Sequence, residues 1–557
     1  MSGIGDVDFH EAVWYRRSVT IPLDWAGDRI LVHFGAVDHD TTVWVNGHEA
    51  GRHRGGFTSF TFDISRFVSA GDEAVIVVRA RDEKTAPQAR GKQSTLYANH
   101  DADYTRTTGI WQTVWLEPVP QVALGRPRIT PDLGSSSFTV EAPLSTGLRD
   151  GRLVVTLSDE QGEIVSQEAR ADLTLTPRAT LSVPRDRVRI WSIGDPFLYT
   201  LRVALVEEDG TVVDEIGSYA GLRSVSIDGR AILINGETVF QRLVLDQGLY
   251  VDGLLTAPSD EALVRDIELS MAAGFNGARL HQKVFEERFL YHADRLGYLV
   301  WGEFGDWGCK TDGPSHDRQQ PNASYITEWL EALERDYSHP AIIGWCPLNE
   351  TRQHISDRIS VLDDVTHGMF LATKAMDTTR PVLDTSGYSH RVPETDVYDS
   401  HNYDQDPARF KATMDLLDPE ALTAYINTED DGDVQVEGAV PWSVAYAGQP
   451  YFCSEFGGIW WNASPDAPSQ SGTTSWGYGE RVRSLDAFYV RFEGLVTALL
   501  GNEHMFGYCY TQLTDVFQEQ NGVYGFDRSA KFDVARIREI QTRVAAIEAV
   551  AVAGVRP

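Results

Sequence analysis

At 557 residues the chain is too long for one ordinary hydrophobic core, so three or four domains are expected, or a large barrel with appended domains. Hydrophobic residues make up 42% and aromatic residues 10%, which argues against disorder. The 81 acidic against 49 basic residues give a net charge of −32, which repels nucleic acid and anionic membranes at long range, so neither is expected as a partner.

Cys309, Cys346, Cys453 and Cys509 all lie in the second half, three of them inside apolar strand-like runs, where they read as small buried hydrophobes and not as a disulfide framework. The start, MSGIGDVDFHEAVWY, has no basic segment leading into an apolar stretch. No run of about 18 apolar residues follows anywhere, so a cytoplasmic protein is expected.

From Trp14 to about Pro120 the pattern alternates with period two, in YRRSVTI, RILVHF, TTVWVNG, FTFDI, EAVIVVRA and IWQTVWLEP, separated by Gly, Asn and Asp turns. This predicts an antiparallel β-sandwich over 1–120. RLVVTLSD, TLSVP and YTLRVALVE predict a smaller immunoglobulin-like sandwich over 121–226. After Ile227 the rhythm becomes strand, helix, strand, helix. Strands are expected at VFQRLVLD, NGARLH, YLVWGE, IIGWCPLNE, PVLDTS, VYDSHNY, PYFCSEFGG and MFGYCYTQ, with helical patterns between most of them. Eight such units predict a (β/α)8 barrel over 227–557, least regular between Asn402 and Val440.

A barrel of this kind carries its active site at the carboxyl ends of its strands. Polar residues that close apolar strands are therefore the candidates: Asp246, Arg279, His281, Glu303, Asp306, Asn349, Glu350, His401, Tyr403, Glu455, Gln512 and Asp515. Glu350 closes the fourth strand and Glu455 the seventh, which face one another across a barrel of eight. Two carboxyls across a barrel mouth suit glycoside hydrolysis, one protonating the leaving oxygen while the other attacks the anomeric carbon. A gap of about 5 to 5.5 Å gives retention and roughly 6.5 to 9.5 Å gives inversion; opposed strands in a small barrel favour retention.

WCPLNE, followed 105 positions later (455 − 350) by the Glu of SEFGG, resembles the acid/base and nucleophile signatures of glycoside hydrolase family 2. The likeness continues in FGAVDHDTTVWVNGHEAGRHRGGFTSFTFDIS with TTGIWQTVWLEP, similar to that family's sugar-binding jelly roll, and in GLRSVSIDGRAILINGETV and GFNGARLHQK at the start of its barrel. YTQLTDVFQEQNGVYGFDR resembles the eighth-strand segment of a β-galactosidase-like subgroup. The resemblance implies Glu350 as general acid/base, Glu455 as nucleophile, Asn349 as a partner of the sugar 2-hydroxyl, and Tyr403 as the group that orients Glu455.

Duller readings stand beside these. A strand-end Glu also pairs with an Arg such as Arg279, Asn349 also caps a helix, and Arg279 and His281 also suit a buried layer beneath the pocket. His401 reads as a core histidine or a sugar contact. Trp460 and Trp461 suit either stacking on a sugar face or packing at the rim. Asp246, Glu303 and Asp515 suit sugar hydroxyls or loop geometry equally well. No metal-ligand motif such as HExxH occurs, and neither a metal nor a cofactor is expected.

Two departures from the family pattern bear on specificity. Tyr510 stands where many members place a tryptophan platform, and the Asn-x-Lys tripeptide that holds a glucuronide carboxylate is absent from the sequence, which disfavours glucuronides. The short lead before WYRR leaves a sheet edge that makes homo-oligomerisation an expectation. The expected function is a retaining exo-β-glycosidase, first of all a β-galactosidase. β-Galactofuranosidase, β-mannosidase, β-glucosaminidase, β-glucuronidase, a transglycosylase and a non-catalytic carbohydrate-binding protein are the alternatives.

Overall fold

The computed structural model describes residues 6, 8–311, 319–427, 441–463 and 474–552. The period-two pattern at the N-terminus becomes two antiparallel sheets. One orders Ala12–Thr20, Glu73–Arg81, Asp40–Val45 and His48–Arg54; the other orders Phe60–Asp63, Arg29–Phe34 and Val114–Val119. In Arg29–Phe34 every second residue, Ile30, Val32 and Phe34, points into the core between them with at most 2% exposure, as alternation requires. The second sandwich packs Arg128–Asp132, Ser137–Glu141 and Arg178–Ser182 against a four-stranded sheet of Gly162–Arg170, Arg152–Asp159, Tyr199–Val206 and Val212–Ala220.

The C-terminal region is a parallel barrel sheet. Its strands run Ile342–Cys346, Leu299–Glu303, Gly277–Leu280, Gln241–Asp246, Met505–Thr511, Tyr451–Gly457 and Tyr398–Asn402 in spatial order. Each matches an expected strand. The exception is the fifth: the segment PVLDTS forms no regular strand and meets the fourth only through isolated parallel bridges, Trp345 with Val382 and Asn349 with Ser386. Its proline, which has no N–H to donate, and its closing polar residues weaken the ladder there. Seven strands and this segment complete the circuit, because Ser386 Oγ donates to Asp399 Oδ2 at 2.8 Å across the remaining gap.

Helices fill the connections. Asp260–Ala272 opens on Ser259, whose side chain accepts from Ala262 N, and Val361–Met376 opens on a reciprocal capping box between Ser360 and Asp363. The irregular sixth unit holds a helix the sequence pattern did not announce, Pro407–Met414, and its loop at 428–440 lies outside the described residues.

The third and fourth strands lock by a reciprocal fit. In their register Trp301 opposes Gly344 and Gly302 opposes Trp345. Trp301 fills the barrel interior, stacked on Phe452 at 5.5 Å, and Trp345 turns outward onto Trp329 of the helix Ala323–Asp336. A Cβ on Gly344 would lie 2.7 Å from three atoms of the Trp301 ring, and one on Gly302 would lie 2.6 Å from Trp345. Gly344→Ala is therefore expected to lower stability by about 1 to 3 kcal/mol through overpacking, read as a lower urea midpoint. An unchanged midpoint would show that Trp301 has room to move.

Candidate active site

Local backbone irregularity aims both carboxylates. The seventh strand, Tyr451–Gly457, carries register shifts against both neighbours: Cys453 pairs with Tyr508 and Phe456 with Tyr510, so Ser454 and Glu455 together oppose Cys509 alone. A bulge of this kind redirects a side chain, and here it turns Glu455 into the barrel mouth. Glu350 lies just past the fourth strand in the left-handed region at φ 54°, tied by Glu350 N donating to Ser386 O at 2.8 Å. Oxygens of the two carboxylates and a ring nitrogen of His401 lie within 4.8 Å of one another, a spacing that also suits a metal ion.

The floor beneath them is a buried ion network. Arg279, fully buried, donates from Nε to Glu303 Oε1 at 2.5 Å and from Nη2 to Asn349 Oδ1 at 2.9 Å; Nη1 reaches Ser454 O at 2.7 Å and Glu455 Oε1 at 3.3 Å. Five rigid donors on one planar cation suit this work. Tyr403 OH donates to Glu455 Oε2 at 2.5 Å, and its ring stacks face to face on Tyr478 at 3.4 Å. Trp307 Nε1 donates to Glu350 Oε2 at 2.7 Å, while His401 Nδ1 bonds Glu350 Oε1 at 2.8 Å.

His401 is the electrostatic hinge of the site. Burial alone would lower its pKa, but the adjacent Glu455 and Glu350 carboxylates outweigh that and raise it. Burial conversely pushes the Glu350 carboxyl up, and the His401 bond and charge, the Arg352 charge and the Trp307 bond override it and hold the group well below the usual range. The two shifts together favour an anionic Glu350 beside a cationic His401. Its other nitrogen, Nε2, lies 2.9 Å from Ser386 Oγ, which donates onward to Asp399. Burial raises the Asp399 pKa, but His390 opposes this, leaving it at about 2. Asp306, whose Oδ2 accepts Asn349 N, is pushed by burial up to about 7.

Arg279, Asn349, Glu350, His401, Tyr403, Glu455 and Glu303 thus meet in one network. His281 joins through its ring, with Nδ1 3.4 Å from Glu303 Oε2 and Nε2 3.9 Å from Glu455 Oε1; burial drives its pKa well down. Asp246 stands beside the network, its carboxylate taken by Gly248 N at 2.9 Å. Asp515 pairs with Lys531 at 2.6 Å. Gln512 Nε2 donates to Asn521 Oδ1 at 2.9 Å, and its buried Oε1 has no partner among the described residues. Trp460 and Trp461 are half-buried, and the buried Trp460 indole N–H has no partner among the described residues.

Tyr510 departs from expectation. It is fully buried between Phe456 and Phe492, on the face toward the helix Leu485–Leu500. Alternation explains this: the inward position is Thr511, whose Oγ1 lies 3.1 Å from Tyr403 OH. Thr511, Trp307, Tyr478 and Ser386 are the site residues that the sequence reading did not select. For Thr511 the period-two count along MFGYCYT carried the signal.

On the far side of Trp307, the partner of Glu350, opens a cavity of about 1110 Å³, walled by barrel residues such as Trp307, Arg352 and Trp476 and by residues 84–103 of the N-terminal sandwich. That loop is fastened to the barrel by Gly91 N donating to Gly305 O at 2.7 Å, by a reciprocal pair between Gln319 and the Arg90–Gly91 backbone, and by Tyr104 OH donating to Glu519. No helix among the described residues is long and apolar enough to cross a membrane.

Comparison with known proteins agrees with this arrangement. Residues 6–120 match glycosyl hydrolases family 2, sugar binding domain, and residues 122–223 match glycosyl hydrolases family 2. A β-glucuronidase of Paenibacillus borealis is 27% identical over 61% of this chain and 58% of its own length. A β-galactosidase of Thermoanaerobacter pseudethanolicus is 26% identical over 61% of this chain and 44% of its own. The alignments thus span less than two thirds of these relatives. The solved β-glucuronidase of Ruminococcus gnavus in complex with D-glucuronic acid shares the fold, with a TM-score of 0.73 and 20% identity over 96% of this chain and 88% of that one. Over residues 6–120 and 122–223 the chain thus matches glycosyl hydrolases family 2 in both N-terminal domains, with a parallel barrel sheet behind them.

Proposed function

We propose that the chain is a retaining exo-β-glycosidase that works by double displacement, with Glu455 as nucleophile and Glu350 as general acid/base. The supporting observation is that oxygens of the two carboxylates lie within 4.8 Å, near the roughly 5 to 5.5 Å that retention requires and short of the room an inverting water needs. Glu455 attacks the anomeric carbon while Glu350 protonates the departing oxygen; Glu350 then takes the proton of the incoming water. Arg279 and Tyr403 fix Glu455 in its attacking orientation. His401 keeps the proton that Glu350 must deliver 2.8 Å from it. Asn349, held by Arg279, presents its buried, unpartnered Nδ2 as a donor for a sugar hydroxyl.

For the glycone, β-galactoside is the first reading, supported by the likeness of the eighth-strand segment and by β-galactosidases among the relatives. β-Glucuronide is the second, supported by the names of the relatives from Paenibacillus borealis and Ruminococcus gnavus. A panel of nitrophenyl glycosides varying ring size and the configuration at C2 and C4 separates them.

Glu455→Ala is expected to lose at least about a thousandfold in kcat on an activated aryl glycoside and to regain turnover with azide; full activity in this variant would remove Glu455 from the chemistry. Tyr403→Phe is expected to lower kcat about a hundredfold with little change in KM, because the hydroxyl orients an attacking group and does not hold the sugar. An unaltered kcat would contradict that role.

The shared proton sets the alkaline limit. Glu455, Glu350 and Asp399 face His401 and raise its pKa above the usual histidine value, so its proton is lost at a higher pH than from an unperturbed histidine. The kcat/KM profile should therefore fall above that value, and in His401→Asn the fall should move to lower pH. A limb that stays in place would show that the proton does not reside on this pair.

A further inference from the structure

The described residues that line the cavity beside Trp307 carry a charge opposite to that of the chain. Four of the described side chains lining it are cations, Lys84, Arg90, Lys310 and Arg352, against two carboxylates, Asp101 and Asp103, in a chain of net charge −32. Lys92, half-buried, lines a small adjoining cavity that shares Arg90 and Gln93 with the first, and its ammonium lies 5.6 Å from the Trp307 ring centre and 6.0 Å from that of Tyr104. Among the described residues the ammonium groups of Lys92 and Lys310 make no hydrogen bond or ion pair. A half-buried ammonium over aromatic rings, with no anion of its own, is a ready seat for one that a ligand brings.

Trp307 tells which side of the scissile bond this seat occupies. Its ring lines the cavity, and its indole N–H donates to Glu350 Oε2. Under the proposed function Glu350 is the group that meets the departing oxygen, so the cavity opens on the leaving-group side and not beneath the sugar. We infer that this cavity is a subsite for an anionic leaving group, one bearing a carboxylate or sulfonate, held by Lys92 from the sugar-binding domain and Lys310 from the barrel. The inference rests on the reading of Glu350 as the acid only for its placement relative to the bond; the charge complementarity stands without it. It also gives the N-terminal domain a part in choosing substrates, since the loop carrying Lys92 reaches the mouth of the barrel.

The first test uses the full chain without turnover, following tryptophan fluorescence on titration with 4-hydroxybenzoate, 4-hydroxybenzenesulfonate and the isosteric neutral 4-hydroxybenzamide. The anions are expected to bind about fivefold tighter than the amide, with the difference eroded by 0.5 M NaCl, as two partly exposed ion pairs would give. The second compares kcat/KM for glycosides of the same three phenols on the glycone that the panel identifies. The carboxylate-to-amide ratio is expected to exceed about five and to fall to about one in Lys92→Gln/Lys310→Gln. Equal affinity for anion and amide, or a ratio that survives both substitutions, would overturn the subsite. Tighter anion binding in a chain that cleaves no glycoside would uphold the subsite and refute the catalytic reading.

Discussion

A guanidinium sealed from water is tolerable only when its donors and its charge are met, and Arg279 meets both conditions at the centre of the barrel. Glu303 supplies the strongest counter-charge, Ser454 O takes a neutral bond, and the remaining donors fall to Asn349 and Glu455. The same cation therefore satisfies the third strand, fixes the residue before Glu350, and holds one oxygen of Glu455. Removing it would strand two buried carboxylates, a loss of the size that breaking buried ion pairs brings, about 3 to 5 kcal/mol. Stability and site geometry here depend on one interaction.

Around this hub the two carboxylates are given unequal surroundings. Glu455 is gripped by an arginine and a tyrosine hydroxyl, which fix both of its oxygens in place. Glu350 shares its environment with a titratable ring, whose further partners run through Ser386 to Asp399 and on to His390, with Nε2 3.0 Å from Asp399. A chain of this kind lets protonation respond to what enters the site, as a group alternating between acid and base requires. The sugar-binding domain completes the setting by laying residues 84–103 against the barrel mouth.

Much of this was legible in the residues. Apolar runs ending in Asn-Glu and Ser-Glu marked two strand ends, and Ser259 with Gly274 bracketed the first helix, because burial and capping are local demands written into composition. What stayed hidden depends on contacts distant in the chain. The bulge that aims Glu455 follows from pairing with two neighbours, and Tyr478 reaches Tyr403 from a loop 75 positions away (478 − 403). Tyr510 was placed at the pocket floor by its likeness in position to the family's tryptophan platform, whereas alternation along MFGYCYT turns Thr511, and not Tyr510, toward Tyr403. The fifth strand read as regular because an apolar pair, Val382 and Leu383, masked the proline beside it.

In the double displacement proposed, Glu455 forms a bond to the sugar while Glu350 manages the proton. This is tested most directly by incubating the protein with the 2-deoxy-2-fluoro aryl derivative of its preferred glycoside and locating the adduct by peptide mass spectrometry. One sugar on Glu455, in the peptide containing Tyr451–Gly457, is the predicted result. Labelling of Glu350 instead, or no adduct together with a product of inverted anomeric configuration, would contradict it.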